Sequence, residues 1–389
     1  MSKTIYNHNF DKLERDYLFS EIRKRKLEYE KKYPDKKIIN LGVGDVIGGL
    51  CENTINAMKN AAVEYASEKT FKGYPPESGY PFLKQKIADY YAKRGVKLNS
   101  DEIFVSDGAK SDLGNILDIF DNCVALIPNP VYPVYVDSNV IRGNAIEYVD
   151  ATPENSFLPT PEALPSKRYL IYICSPSNPT GATYDEQKLR QWIDFAVRSD
   201  SIIIYDSAYE AYIKTDKPHS IFELNGSDEC SIEIGSFSKR AGFTGLRLGY
   251  TVIKRNNERM KKIAQAWSRR QATKFNGVSY LIQKAGESTL TDEGIREYQA
   301  KIDYYLDNAE KIKSSFQNLG YEVWGGIDSP YVWIDCKKDS WEFFDELLYK
   351  YQIVGTAGAG FGRCGKGFFR LSSFATKSDV YELTLRLST

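Results

Sequence analysis

The sequence predicts an α/β protein with a mostly parallel, seven-stranded sheet between helices and a smaller α+β domain. Between residues 38 and 255, seven short runs rich in β-branched and aromatic residues alternate with helical stretches. Buried strands that alternate with helices favour a parallel sheet covered on both faces. Beyond residue 257 this alternation gives way to long polar helices, which predicts the smaller domain.

The runs that predict the sheet are Ile103–Ser106, Val124–Ile127, Ile146–Val149, Tyr169–Cys174, Ser201–Tyr205, Ser231–Ile234 and Leu248–Ile253. Before them, an arm that includes a polar helix leads into the short predicted strand of IINLGVGD, and Asn53 is the expected N-cap of the next helix. After them, the pattern predicts long helices, strands near Tyr321–Trp324 and Tyr331–Asp335, and a strand pair around Ile353 and Phe368–Leu371. We expect residues 1–45 to form the arm and part of the small domain, 46–290 the large domain, and 291–389 the C-terminal small domain.

Composition excludes several classes of function. The 52 basic and 52 acidic residues cancel, which argues against a nucleic-acid binder and against a polybasic membrane anchor. No apolar run approaches the ~18 residues of a membrane span, and the charged N-terminus lacks the apolar core of a secretory signal, so we expect a cytoplasmic protein. Two histidines and six scattered cysteines without a CxxC motif predict no metal or redox centre.

The most informative motif is Ser236-Phe-Ser-Lys239, directly after a predicted strand. Two hydroxyls and Arg247, eight positions beyond the lysine, can surround one phosphate, with the arginine as a bidentate donor. The amine of Lys239 is then free to form an imine with an aldehyde. These are the requirements of a pyridoxal 5'-phosphate site.

Three other strand ends carry side chains that suit the same cofactor. Asp206 can pair with the pyridine nitrogen and make the ring an electron sink. Tyr209 and Asn178 can donate to the phenolate oxygen of the ring and keep the imine reactive near neutral pH. Tyr132 can stack on the pyridine ring. The alternative for Asp206 is an ordinary helix cap or turn former, and the alternative for the Ser175–Gly181 segment that contains Asn178 is an ordinary Pro/Gly turn.

Two further features suit anions. Ser106-Asp-Gly-Ala-Lys110 joins a strand to a helix, so the backbone N–H groups of Ala109 and Lys110 face an anion at a helix N-terminus. Arg370, within a predicted C-terminal strand, can hold a substrate α-carboxylate in its forked guanidinium, although a strand arginine is more often solvated. Ligands bind at the carboxyl ends of open α/β strands, which is where most of these residues fall.

In these motifs the chain resembles the LL-diaminopimelate aminotransferase family, which consists of fold-type I, pyridoxal phosphate-dependent enzymes of lysine biosynthesis. The similarity extends over nearly the whole length. It is carried by NLGVGD (40–45), TFKGY (70–74), EIFVSDGAK (102–110), VYPVYVDS (131–138), CSPSNPTG (174–181), IIIYDSAY (202–209), SIFE (220–223), SFSKRAGFTGLRLGYTVI (236–253), FNG (275–277), PYVWID (330–335) and GFGRCGKGFFRLSSF (360–374).

The resemblance implies a role for each matching position. Lys239 is then the Schiff-base lysine and proton shuttle, and Asp206 and Tyr209 share the catalytic set. The implied cofactor contacts are Tyr74 from a second subunit, Ala109, Lys110, Tyr132, Asn178, Asp206, Tyr209, Ser236, Ser238 and Arg247. The implied substrate contacts are Tyr17, Gly42, Glu77 from the second subunit, Lys110, Tyr132, Asn178, Asn276 and Arg370. A homodimer with shared active sites, an amino-acid donor and a 2-oxo acid acceptor follow from the same resemblance.

The chain departs from the family pattern near the substrate-facing loops. Val46-Ile-Gly-Gly-Leu-Cys51 replaces the usual threonines and proline, Pro75 replaces a glycine, and 256–274 lacks an expected aromatic-acidic loop. An aminotransferase or pyridoxal phosphate-dependent oxidase acting on another basic amino acid, such as lysine or arginine, therefore remains an alternative. A non-catalytic regulatory domain that binds the cofactor is the second, although no DNA-binding segment precedes residue 38.

Overall fold

Helices and strands alternate through most of the chain in the computed structural model, which describes residues 5–13 and 18–388. The helices are α1 (Leu18–Lys32), α2 (Glu52–Glu64), α3 (Pro81–Ala92), α4 (Ala109–Asn115), α5 (Pro133–Arg142), α6 (Glu186–Arg198), α7 (Phe237–Arg240), α8 (Glu258–Lys274), α9 (Tyr280–Thr289), α10 (Asp292–Asn318), α11 (Ser340–Tyr351) and α12 (Lys377–Leu387). The strands are β1 (Ile39–Asn40), β2 (Ile103–Ser106), β3 (Val124–Asn129), β4 (Ala145–Asp150), β5 (Leu170–Cys174), β6 (Ile202–Asp206), β7 (Ser231–Ser236), β8 (Gly249–Ile253), β9 (Val323–Gly325), β10 (Tyr331–Asp335), β11 (Ile353–Val354), β12 (Thr356–Ala357) and β13 (Phe368–Ser372).

The central sheet has seven strands in the order β2-β8-β7-β6-β5-β3-β4. Strands β4, β3, β5, β6 and β7 pair in parallel, and β8 lies antiparallel between β7 and β2. The predicted seven-stranded, mostly parallel sheet is therefore confirmed. Its register places Cys174 beside Asp206, so that the carboxyl ends of neighbouring strands meet at one edge.

The central strands are buried on both faces, as their apolar runs require. Ile203 and Tyr205 of β6 pack into one core cluster, whereas Ile202 and Ile204 pack into the cluster on the opposite face. Successive side chains of a strand point to opposite faces, so one strand contributes to two cores. This burial fixes the strand ends at which the polar residues emerge.

A further core, separate from the two that flank the central sheet, lies around the antiparallel sheet β12-β13-β10-β9. Helix α1 contributes Ile22 and Tyr29 to this core, and β1 contributes Ile39. The N-terminal segment therefore packs against the C-terminal part of the chain. The domain boundaries expected at residues 45 and 290 stay predictions.

The expected strand pair around Ile353 and Phe368–Leu371 is right in placing strands at both segments and wrong in pairing Ile353 itself with the second strand. Ile353 pairs in parallel with Ile39, and only Thr356 and the residue after it pair with β13. The change occurs at Gly355, where an added Cβ would lie 2.1 Å from Cε1 of Phe369. The backbone passes that ring too closely for one continuous strand pair to carry ordinary side chains.

The expected N-cap at Asn53 is also wrong, because α2 begins at Glu52 and Cys51 precedes it. The Asn53 amide instead donates to the carbonyl of Ser288 at 3.1 Å, near the end of α9. The Asn53 side chain therefore makes a tertiary hydrogen bond and does not form the helix cap that the local sequence predicts. Within the two described ranges, no helix combines the length and apolar character needed to cross a membrane.

Candidate active site

A cavity of about 400 Å³ opens at the carboxyl ends of the central strands. It is lined from three parts of the chain: the loop after β1, the ends of the sheet strands, and strands β10 and β13. The predicted site residues that line it are Ala109, Lys110, Tyr132, Asn178, Asp206, Tyr209, Ser236, Ser238, Lys239, Arg247 and Arg370. The structure therefore brings together most of the residues that the sequence singled out.

Lys239 lies within the single turn of helix α7, directly after β7. The hydroxyl of Ser236 caps this turn by accepting the backbone N–H of Ser238 at 3.1 Å. The Lys239 ammonium donates to the carbonyl of Gly44. Burial lowers the pKa of Lys239 to about 8, and Arg370 and Arg247 act in the same direction, whereas Asp45 opposes them. A larger fraction of the amine is consequently neutral at pH 7 than for an exposed lysine.

Arg247 closes the same end of the cavity. Its guanidinium donates to Ser238 Oγ at 3.4 Å, and an added Cβ at Gly108 would lie 2.3 Å from Arg247 Nη2. A Cβ at Gly249 would lie 2.7 Å from the backbone nitrogen of Ala109. The two glycines therefore allow Arg247 and strand β8 to lie close against the start of α4. This brings the guanidinium near the serine hydroxyls and the first N–H groups of α4, which is a donor set that suits a phosphate.

Asp206 is a buried carboxylate at the base of the cavity. Its Oδ2 accepts from the Tyr135 hydroxyl at 2.6 Å, and its Oδ1 accepts from the backbone N–H of Ala208 at 3.0 Å. Burial raises the pKa of Asp206, although both hydrogen bonds oppose that shift. A cation placed against this carboxylate would favour its charged form, so the site suits a protonated ring nitrogen.

Arg370 is 1% exposed and lies on strand β13. Its Nη1 donates to Asn178 Oδ1 at 2.7 Å, and its Nη2 donates to the carbonyl of Gly42 at 2.8 Å and to Thr356 Oγ1 at 3.3 Å. Its Nε has no hydrogen-bond partner among the described residues. A buried donor without a partner costs free energy, so this guanidinium is poised for an acceptor such as a carboxylate.

Gly42 reaches Arg370 through its backbone and does not line the cavity. An added Cβ at Gly42 would lie 2.7 Å from the carbonyl oxygen of Gly355. The glycine therefore allows the NLGVGD loop to approach the C-terminal sheet closely enough to hold the arginine.

Besides Gly42, three predicted site residues of the described chain lie outside the cavity. Tyr74 is 88% exposed, and Glu77 and Asn276 are exposed as well. They share one surface, because an added Cβ at Gly277 would lie 2.5 Å from the carbonyl oxygen of Pro76. Within one copy of the chain these residues do not join the cavity. The remaining predicted contact, Tyr17, lies outside the described residues.

Comparison with known proteins decides the family. Residues 36–384 match the family of class I and II aminotransferases. The chain is 45% identical to the LL-diaminopimelate aminotransferase of Desulfotalea psychrophila and 44% identical to that of Bacteroides fragilis, and each alignment covers 98% of both proteins. The chain belongs to the LL-diaminopimelate aminotransferase family. It is therefore an aminotransferase.

The solved structure of the L,L-diaminopimelate aminotransferase of Chlamydomonas reinhardtii agrees with this assignment. It superposes with a TM-score of 0.92 at 38% identity and covers 100% of this chain and 98% of the other. The expected fold-type I architecture of an aminotransferase is confirmed.

Two cavity residues of this aminotransferase were missed at the sequence level as site residues. Tyr135 follows Tyr132 by three positions at the start of α5, and its hydroxyl reaches Asp206. The spacing of two tyrosines around Pro133 is the signal that points to it, because residues three apart share a helix face. Tyr331 begins strand β10, and its hydroxyl lies 2.6 Å from that of Tyr209. No local signal distinguishes it from a core strand residue.

A buried charge cluster lies beside the segments that carry Tyr209 and Lys239. Glu210 and Arg240 directly follow Tyr209 and Lys239, and they form an ion pair at 3.3 Å with both side chains 9% exposed. The Tyr90 hydroxyl donates to the same carboxylate at 2.9 Å. Burial alone would raise the pKa of Glu210, but the surrounding cations, Arg240 foremost, lower it to about 2. The pair joins the turn that carries Tyr209 to the turn that carries Lys239.

Replacing Glu210 with Gln is expected to lower the free energy of unfolding by about 3 kcal/mol at pH 7, because Arg240 then stays buried without its carboxylate. The folded-state pKa lies below the ordinary value of 4.5, so this stabilisation is fully present above about pH 4.5 and is lost as the pH falls towards 2. Urea unfolding at pH 7 and at pH 3.5 measures the difference from wild type, which should be smaller at pH 3.5.

The matched control is Glu186→Gln, whose exposed carboxylate pairs with Arg190 within one helix. That change should alter the free energy of unfolding by less than about 1 kcal/mol. A Glu210→Gln effect that is equally small at pH 7, or that grows as the pH falls, would contradict the assignment of a buried, charged pair.

Proposed function

We propose that this enzyme interconverts tetrahydrodipicolinate and LL-diaminopimelate in lysine biosynthesis, as a cytoplasmic homodimer, with glutamate and 2-oxoglutarate as the second substrate pair and pyridoxal 5'-phosphate as cofactor. The observation that carries the proposal is the cavity itself. A lysine with a lowered pKa, a buried carboxylate and a buried arginine with an unpaired donor converge there. The likeness to LL-diaminopimelate aminotransferases over 98% of the chain supports the choice of amino donor.

The cavity residues fit the cofactor. Arg247, the serine hydroxyls and the first N–H groups of α4 suit its phosphate, and Asp206 suits its pyridinium nitrogen. When bound, pyridoxal phosphate supplies an aldehyde that takes up the amino group and a ring that accepts electron density. Tyr132 lines the cavity where a ring face can stack.

Lys239 and Arg370 perform the remaining tasks. Since burial lowers the pKa of Lys239 to about 8, its amine can accept the proton from the substrate α-carbon near neutral pH and return it in the reverse half-reaction. Arg370 binds the α-carboxylate that the amino acid and the 2-oxo acid have in common. One binding site therefore serves both substrates in turn.

The distal end of the substrate is the part that a second copy of the chain is proposed to recognise. Tyr74 and Glu77 are exposed, and Phe71 in the same segment is 61% exposed. Exposed aromatic side chains often mark a surface that a partner protein covers, because their burial in an interface is favourable. In the homodimer, Tyr74 would reach the cofactor phosphate in the cavity of the partner subunit. The Glu77 carboxylate would meet the distal ammonium of LL-diaminopimelate bound there.

A panel of amino donors with 2-oxoglutarate as acceptor tests the reaction. Glutamate should form with LL-diaminopimelate faster than with lysine or arginine, and oxygen uptake should not accompany it. Lys239→Ala should reduce the rate at least ~10²–10⁴-fold, because proton transfer at the α-carbon loses its base. Lys338→Ala, an exposed lysine paired with Glu346, is the control and should keep wild-type activity. Turnover of lysine or arginine with none of LL-diaminopimelate would refute the proposed donor.

Mixing two inactive variants tests the shared site. Lys239→Ala and Tyr74→Ala homodimers should each be weakly active, whereas hybrids contain one site with an intact lysine and an intact tyrosine. After unfolding and joint refolding, activity should recover to about a quarter of the wild-type value, since half of the dimers are hybrids with one intact site each. Activity that stays at the level of the separate variants would show that Tyr74 does not act across subunits.

A further inference from the structure

Tyr331 joins three parts of the cavity although none of the sequence motifs gave it a role. It is 1% exposed and begins β10, where it pairs with Ser372 of β13. Its hydroxyl lies 2.6 Å from the hydroxyl of Tyr209. Its ring lies under the guanidinium of Arg370, with 4.5 Å between the Arg370 Cζ and the ring centroid.

The NLGVGD loop leaves room for this hydroxyl. An added Cβ at Gly44 would lie 2.3 Å from Tyr331 Oη. Gly44 therefore permits the phenol to reach Tyr209, and any side chain at that position would displace it. The contact between the two phenols is built into the close approach of the loop, strand β10 and the turn after β6.

The two hydroxyls must share one hydrogen bond, so only one of them donates in it. A hydroxyl has one proton and two acceptor lone pairs. If Tyr331 donates, the proton of Tyr209 is free to point into the cavity. If Tyr209 donates, its one hydroxyl hydrogen is bound to Tyr331, and Tyr209 has no hydrogen to donate to an acceptor in the cavity.

The charges around the pair decide the direction. Burial raises the pKa of both phenols, and the cation of Arg370 lowers the pKa of both. The guanidinium lies over the ring of Tyr331, with its Cζ 4.5 Å from the ring centroid, and it is the foremost influence that opposes burial for Tyr331. The other titratable groups that act on the pair are Cys174 and Asp206. A cation over the ring face makes Tyr331 the more acidic phenol and therefore the better donor.

We infer that Tyr331 is a positioning residue. Its hydroxyl donates a hydrogen bond to Tyr209, so that the hydroxyl of Tyr209 donates its own hydrogen bond to the acceptor that occupies the cavity. The inference rests on the proposed function, in which this acceptor is the phenolate oxygen of pyridoxal phosphate. Arg370 then orients two donors at once, because it also holds Asn178 through its carbonyl oxygen and leaves the amide hydrogens of Asn178 for other acceptors. The carboxylate clamp and the ring contacts form one connected network.

Tyr331→Phe tests the inference, because phenylalanine keeps the ring under Arg370 and removes only the hydroxyl. The readout is the pH titration of the visible absorbance of the enzyme loaded with pyridoxal phosphate, without substrate. The midpoint of this titration is the apparent pKa of the imine between Lys239 and the cofactor. It should rise by roughly one unit, because the phenolate oxygen loses part of the hydrogen bond that stabilises it. In a Tyr209→Phe background the same substitution should cause no further shift, because it acts through Tyr209.

Two further variants complete the experiment. Tyr169→Phe, which removes a buried phenol's bond of 2.9 Å to Glu147 away from the cavity, should leave the absorbance titration unchanged. Gly44→Ala, which crowds the Tyr331 hydroxyl, should shift the pKa upwards as well, and this shift should vanish in the Tyr331→Phe background. Equal shifts in the presence and absence of the Tyr209 hydroxyl, or no shift with Tyr331→Phe, would overturn the inference.

The identity of the amino donor does not enter this titration. A failure of LL-diaminopimelate as donor would therefore leave the inference standing on the absorbance data. A loaded enzyme with no absorbance that depends on Lys239 would instead refute the proposed cofactor, and the role given to Tyr331 would fall with it.

Discussion

The buried guanidinium of Arg370 is the constraint on which the rest of the site depends. Burying a charge costs several kcal/mol unless it is paired, and among the described residues no carboxylate lies within ion-pair distance of Arg370. Its partners are neutral: the Asn178 amide, the Gly42 carbonyl, the Thr356 hydroxyl and the faces of two aromatic rings. Such an arrangement holds the cation in place but leaves its charge uncompensated, which is the condition for binding an anionic substrate with high selectivity.

Holding Arg370 requires that distant segments meet. The loop after β1 comes close enough only because Gly42 and Gly44 lack side chains, and the turn after β5 presents Asn178. The N-terminal segment reaches this position through the pairing of β1 with β11. The fold therefore assembles one cavity from three regions, and the sheet-edge residues that we propose to hold the cofactor face Arg370 across it.

The sequence predicts the sheet-edge residues well, because their placement follows from local order. Lys239, Asp206 and Asn178 follow apolar runs, and the carboxyl ends of parallel strands lie at one edge. Tyr331 escapes such reasoning because its contact with Tyr209 depends on the register of β10 against β13 and on a loop from the far end of the chain. The expected pairing of Ile353 with the strand at Phe368–Leu371 is wrong for the same reason, since Ile353 pairs instead with Ile39 from the start of the chain. Tyr74, Glu77 and Asn276 are matched by family resemblance alone, since one copy of the chain leaves them exposed.

Binding of the substrate α-carboxylate is the role that we propose for Arg370. Calorimetric titration of the cofactor-loaded enzyme with 2-oxoglutarate and with its 1-methyl ester, in which that carboxylate is neutral, tests this most directly. Wild-type enzyme should bind the ester at least tenfold more weakly, and Arg370→Lys should lose most of the difference because the planar fork is gone. Equal affinity of the wild-type enzyme for the two compounds would contradict the account.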